Sequence, residues 1–146
     1  MKEESKYYIP LPEEFCVGFE YEERVKGYQE DWDKGVIYIH DTSTGCWESN
    51  IQDVLMNYDD GCIEYRIKYL DSEDIESLGF LESKYKGINV FRLKHYLLFL
   101  FKDCFVSIES LVTDYNELTG YSSQIFRGVI KNKKELELVL KQIGVL

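Results

Sequence analysis

Alternation of apolar and polar residues is the clearest pattern along this chain. Residues 63–69 are Ile-Glu-Tyr-Arg-Ile-Lys-Tyr, a period of two that is typical of a strand with one buried face. Residues 14–22 show the same period, and the side chains on the predicted buried face are Phe15, Val17, Phe19 and Tyr21. The pattern predicts a strand in both places.

Further runs of β-branched and aromatic residues, which favour strands, complete the predicted sheet. They occur at 36–40, 89–93, 96–101, 104–109 and 124–130. Only two residues separate the runs around 96–101, so we expect consecutive antiparallel strands there. These segments predict a mainly antiparallel sheet of about six strands.

A short helix over about 71–78 is predicted from its end signals. Asp71 can cap the first turn, Asp74 stands at the third helical position, and Gly79 follows the last turn. Carboxylates at these positions stabilise the amino end of a helix, whereas glycine accepts the left-handed conformation at its end. We therefore interpret this acidic stretch as structural and not as a site.

The C-terminal residues predict an amphipathic helix that covers one face of the sheet. Asn132 is the expected N-cap, Glu135 follows three residues later, and one stripe contains Leu136, Val139, Leu140 and Ile143. Ile51, Val54 and Leu55 have helical spacing and indicate a further short helix or irregular segment. The expected fold is α+β, with residues 1–146 as a single domain.

The charge of this chain is concentrated in its first part. The net charge is −10, and residues 1–60 contain fifteen acidic against five basic residues, while residues 61–146 contain twelve of each. Nucleic-acid binders place Lys and Arg beside phosphates, so direct binding of nucleic acid is not expected. An acidic region of this kind is commonly a solvated face that favours solubility. It also suits a basic protein surface as partner, or imitation of the nucleic-acid charge that such a partner normally meets.

The apolar runs are too short for a membrane protein. The longest, 96–101, has six residues, whereas a bilayer requires about 20. The first residues, Met-Lys-Glu-Glu-Ser, lack the apolar stretch of a signal peptide. We expect no membrane association and a cytoplasmic location.

Aromatic and acidic residues alternate in the first part and form the predicted partner-binding site. Aromatic rings surrounded by carboxylates can bind Arg or Lys by stacking and ion pairing, and Tyr and Trp are frequent interface anchors. The predicted partner-binding residues are Glu20, Glu22, Glu23, Glu30, Asp31, Trp32 and Asp33.

A His-x-Thr motif provides an alternative function. His40 and Thr42 have the form used by two-histidine phosphoesterases, in which each histidine is an acid or base and the hydroxyl binds phosphate. Such enzymes need the motif twice, and the other histidine, His95, is followed by Tyr-Leu without the hydroxyl. A small nucleotide-binding protein or phosphoesterase therefore remains the alternative, and no catalytic residue belongs to the preferred interpretation.

No metal or cofactor site is expected. Asp31 and Asp33 resemble the beginning of a calcium loop, but the remaining oxygen ligands are missing. Four cysteines are widely spaced with no Cys-x-x-Cys pair, which predicts free buried thiols and not a zinc site: Cys16, Cys46, Cys62 and Cys104.

Three stretches, EEFCVGFEYE, KYLDSEDIESLGF and IKNKKELELVLKQIGVL, together resemble an uncharacterised family of small proteins from Bacteroidota and their phages. The resemblance covers the order of motifs along most of the chain and is weakest over 27–60. It implies a bacterial or phage-infected cytoplasm, and it supplies no mechanism because the family has no assigned activity or catalytic residues. With the acidic first part, it predicts a non-enzymatic interaction protein that binds or inhibits a host protein.

Overall fold

The computed structural model describes residues 6–16, 18–37, 51–85, 88–112 and 121–146. In these ranges the fold is α+β, with two antiparallel sheets, of four and five strands, and three α-helices. The chain divides into two compact units, Met1–Lys68 and Tyr69–Leu146.

The prediction of one sheet of about six strands is wrong, because the described strands form two sheets. Alternation shows which face of a strand is buried but not which strands pair. A single domain over 1–146 stays a prediction.

The first unit contains a sheet with the order β1-β4-β2-β3, here called the N-terminal sheet. Its elements are β1 (Tyr7–Tyr8), β2 (Glu20–Val25), β3 (Asp33–Val36), α1 (Ile51–Asp60) and β4 (Ile63–Lys68). A one-turn 3-10 helix, Pro12–Glu14, lies between β1 and β2. The predicted strand at 14–22 consequently begins later, at Glu20.

Aromatic rings fill the core of the first unit. Tyr21 of β2 and Tyr65 of β4 are buried and meet edge to face, with ring centroids 5.6 Å apart. Phe15 and Phe19 reach the same core from the segment before β2, and Val54 joins it from α1. The side chains at alternate positions of β2 and β4 are thus held on one face of the sheet, which assigns the intervening residues to the other face.

The second unit is a meander in which each strand pairs with the next. Its elements are α2 (Ser72–Ser77), β5 (Leu81–Tyr85), β6 (Ile88–Leu93), β7 (Tyr96–Leu100), β8 (Phe105–Val112), β9 (Tyr121–Val129) and α3 (Lys133–Gln142). The predicted consecutive antiparallel strands are confirmed. Within the described residues, no helix combines the length and the apolar character that crossing a membrane requires.

The capping signals of α2 are confirmed. The Asp74 backbone N–H donates to Asp71 Oδ1 at 3.0 Å, and the Asp71 backbone N–H donates to Asp74 Oδ2 at 3.3 Å. Gly79 ends the segment with φ 96°, where a side chain would be strained. Both carboxylates of this pair have the structural role that the sequence predicts.

The C-terminal helix α3 packs its apolar stripe into the core of the second unit. Leu136 and Leu140 are buried there with Leu98 and Ile108 of the meander. The Glu135 backbone N–H donates to Asn132 Oδ1 at 2.9 Å, as predicted for the N-cap. The Glu135 carboxylate accepts from the backbone N–H of Lys131 at 2.7 Å, one residue earlier than a capping box requires.

A glycine opposite Tyr21 allows the first unit to pack, and its replacement provides a test. Gly35 lies beside Tyr21 in the β2–β3 register, and a Cβ there would be 2.5 Å from Cζ of the Tyr21 ring. Because that ring is buried, Gly35→Ala should lower the free energy of unfolding by about 1–3 kcal/mol, measured by urea unfolding. Lys34→Ala, at the exposed neighbouring position, is the control and should change it by about 0.5 kcal/mol or less. Equal effects of the two substitutions would contradict this packing.

Candidate functional site

The face of the N-terminal sheet opposite its core contains a network of charged and aromatic side chains. Glu22 stands opposite Arg66, and Arg24 stands opposite Glu64, in the β2–β4 register. Tyr7 stands opposite Lys68 of β4. Directly opposed residues share a face. We call this surface, formed by Tyr7, Glu22, Arg24, Trp32, Glu64 and Arg66, the outer face.

Arg66 is at the centre of the outer face. Its Nε donates to Glu22 Oε2 at 2.5 Å. Its Cζ lies 3.8 Å from the ring centroid of Tyr7 and 4.2 Å from that of Trp32. The Tyr7 hydroxyl donates to the other oxygen of Glu22 at 3.5 Å. The Arg66 charge is therefore bound within the sheet, with about a fifth of the side chain exposed.

Arg24 makes a second pair on the same face. Its Nε donates to Glu64 Oε2 at 2.7 Å, and its Cζ lies 4.5 Å from the Trp32 ring centroid. One Nη also donates to the backbone carbonyl of Glu30 at 3.5 Å. The Trp32 ring, predicted to bind a cation of a partner, thus contacts two arginines of this chain.

Glu23 and Asp33 lie on the opposite face from this network. They oppose each other in the β2–β3 register, and Glu23 also opposes the buried Tyr65. The Gln29 side-chain amide donates to Asp33 Oδ2 at 2.7 Å. Burial, reinforced by the negative charge of Asp33, raises the pKa of Glu23 above its usual value. Two carboxylates in this position repel each other.

The tip of the β2–β3 hairpin exposes an aromatic side chain beside two carboxylates. Gly27 has φ 78°, and the backbone N–H of Tyr28 donates to the carbonyl of Val25 at 3.3 Å, which closes the turn. Tyr28 is 93% exposed, and Glu30 and Asp31 are exposed near it. Among the described residues, no Lys or Arg lies within ion-pair distance of these two carboxylates. We call Tyr28, Glu30 and Asp31 the hairpin tip.

The seven predicted partner-binding residues do not form one patch. Glu22 and Trp32 belong to the outer face, Glu23 and Asp33 lie on the other face, and Glu30 and Asp31 belong to the hairpin tip. Glu20 is exposed on the face of Glu22, two residues along β2, and lies roughly 17 Å from Val25 at the hairpin end of that strand, at ~3.4 Å per residue. The role of these residues in binding a partner stays a prediction. His40 and Thr42 lie outside the described residues.

The aromatic pattern of the first part does not distinguish Tyr28 from its other aromatic residues. The available signal was the preceding Gly27, since a glycine-containing turn between two strands exposes its neighbours. The internal pairing of Glu22 and Arg66 had no local signal, because the two residues are 44 positions apart.

The cysteines of the described residues lie in different surroundings. Cys62 is exposed, so the expectation of a buried thiol is wrong there, whereas Cys16 and Cys104 are half-buried. Burial raises the pKa of the Cys104 thiol, which disfavours the reactive thiolate. Cys46 lies outside the described residues. In the ranges that are described, no three His, Cys, Asp or Glu side chains are grouped as metal ligands.

The raised pKa of Glu23 predicts a specific pH dependence of stability. The unfolded carboxyl has an ordinary pKa of about 4.3, so as the pH rises the unfolded chain releases this proton first and the free energy of unfolding falls. Glu23→Gln has no proton to release and does not show this fall in the free energy of unfolding. Above about pH 4 the wild type should therefore become progressively less stable relative to the variant. Urea unfolding over a pH series measures the difference in free energy of unfolding between the two proteins, and a difference that does not change with pH would contradict this account.

Asp33→Asn should lower the pKa of Glu23, and a carboxyl NMR titration measures this change.

No protein-family model, no curated protein and no solved structure was found to match this chain. The family resemblance indicated by the three sequence stretches therefore stays a prediction.

Proposed function

We propose that this protein is a non-enzymatic interaction protein whose hairpin tip binds a basic protein surface. The observation that carries this proposal is the 93% exposure of Tyr28 beside the carboxylates of Glu30 and Asp31. A tyrosine supplies a large contact area at a low cost in conformational entropy, and carboxylates around it favour Arg or Lys on the partner.

The network on the outer face supports this choice of site. Arg66 is bound to Glu22, and Arg24 is bound to Glu64, so each of these carboxylates already has a cation of this chain. Glu30 and Asp31 have no such cation among the described residues. A partner that brings Lys or Arg can therefore bind at the hairpin tip without displacing an internal pair, and Tyr28 adds the aromatic contact there.

The cellular setting belongs to the same proposal. The resemblance to small proteins from Bacteroidota and their phages favours a bacterial or phage-infected cytoplasm as the place of action. Binding or inhibition of a host protein by a phage-associated protein would fit an acidic binding surface that attracts basic partners. Nucleic acid is not proposed as a direct partner.

The phosphoesterase alternative has less support. It depends on His40 and Thr42, for which the structure gives no geometry, and it would predict turnover that is lost in His40→Ala. The preferred proposal predicts that His40→Ala leaves partner binding unchanged.

A pull-down from a Bacteroidota lysate with quantitative mass spectrometry tests the hairpin tip. Resin that carries the wild-type protein should retain more of a basic protein than resin without it. Tyr28→Ala and the double variant Glu30→Lys/Asp31→Lys should each lose roughly nine-tenths of it, since an interface anchor is worth at least tenfold in affinity. Raised salt should weaken retention as well.

Matched substitutions in the second unit are the controls. Leu81→Ala removes an exposed apolar side chain, and Glu76→Lys/Glu82→Lys makes the same change in net charge at exposed positions. Both controls should retain the protein at the wild-type level. Loss with the controls, or equal retention by all variants, would show that the hairpin tip does not select a partner.

A further inference from the structure

A groove of about 440 Å³ runs beside β4 in the first unit. Its lining includes four consecutive residues of that strand, Ile63, Glu64, Tyr65 and Arg66. Successive side chains of a strand point to opposite faces. A groove that meets four in a row therefore reaches the edge of β4. It also extends over the outer face, because five outer-face residues belong to its lining: Tyr7, Arg24, Trp32, Glu64 and Arg66.

The same edge of β4 is only partly paired. Strand β1 pairs with Lys68 and Ile67 alone. Two positions further, Pro10 has no backbone N–H to continue the ladder, and its carbonyl instead accepts from the Tyr58 hydroxyl at 3.1 Å. Within the described residues, Ile63–Arg66 thus pairs with β2 on one side and with no strand on the other.

The lining of the groove combines apolar, aromatic and charged side chains. Its apolar and aromatic members include Ile63, Tyr58 and the 75% exposed Ile9. Its charged members are the cations Arg24, Lys26 and Arg66 and the carboxylate Glu64. Arg24 is paired with Glu64, and Arg66 is paired with Glu22. Lys26 is exposed and has no carboxylate partner in the described part of the chain, so it is the cation of this lining that a partner can bind.

We propose that this groove binds an extended acidic peptide segment of a partner protein, which adds as a strand to the unpaired edge of β4. Backbone hydrogen bonds to the edge supply affinity in such complexes, and alternate side chains supply specificity. Here one set of peptide side chains meets Ile63 and Tyr58, and the other set meets Lys26. The peptide therefore alternates apolar and acidic residues.

This site adjoins the hairpin tip, since Arg24 and Lys26 also line a pocket with Tyr28 and Glu30. Its occupant has the opposite charge, so the variants of the two sites distinguish a failure of one proposal from a failure of the other. An unpaired edge is unfavourable in a protein without such a partner, because an exposed strand edge promotes unwanted association unless it is covered or used.

Binding of a synthetic peptide of alternating Glu and Val, acetylated and amidated at its ends, tests the proposal by calorimetry. The Glu-Val peptide should bind the full chain, and an alternating Lys-Val peptide should not. On binding, amide hydrogen exchange within Ile63–Arg66 should slow, because new backbone hydrogen bonds protect the edge. Of two further peptides, N-methylated on their glutamates or on their valines, at least one should lose binding.

Charge reversal in the groove provides the matched variants. Lys26→Glu should weaken binding of the Glu-Val peptide roughly tenfold, since repulsion replaces attraction. Lys34→Glu changes an exposed lysine of the same sheet that is outside the groove and should leave the affinity unchanged. Tyr28→Ala should leave it unchanged too, which separates this site from the hairpin tip.

Three results would overturn the proposal. They are absence of Glu-Val binding, binding that both N-methylated peptides retain, and an equal effect of Lys26→Glu and Lys34→Glu. Retention by both N-methylated peptides would indicate an anion site that recognises side chains and not a strand.

Discussion

The position of the Arg66 guanidinium is the constraint on which the outer face of the N-terminal sheet depends. It joins Glu22 of β2, Tyr7 of β1 and Trp32 next to β3, so every strand of the sheet has a residue on or beside this one cation. A cation over an aromatic ring is worth about 0.5–2 kcal/mol, depending on how dehydrated it is, and a hydrogen bond to a charged group about 1.5–3 kcal/mol.

The internal pairing supports the place where we propose that a basic partner binds. Carboxylates that already hold Arg24 and Arg66 have little to gain from a cation of a partner, whereas Glu30 and Asp31 have no such cation among the described residues. In the groove beside β4, Lys26 is the cation that has no carboxylate partner among the described residues. One small sheet thus contains both proposed sites, for which we propose partners of different charge.

The sequence predicted those features that depend on neighbouring residues. The Asp71–Asp74 capping pair and the N-cap at Asn132 were found because each involves residues three apart. The division into two sheets was not found, because alternation does not identify the strand that pairs with 63–68. The two-residue β1 was too short to give a period. The network around Arg66 required the register of β2 against β4, and that register becomes known only from the fold.

A double-mutant cycle between Glu22 and Arg66 tests the internal pairing most directly. Glu22→Gln keeps the shape of the side chain without its charge, and Arg66→Met keeps much of the apolar stem. Urea unfolding of the wild type, both single variants and the double variant gives the coupling energy. A coupling of about 1 kcal/mol or more is expected for a partly buried, hydrogen-bonded charge pair. The double variant should then lose less stability than the sum of the losses in the two single variants. A coupling near zero would mean that the two charges remain solvated, and that the outer face is open to partners in the way the hairpin tip is.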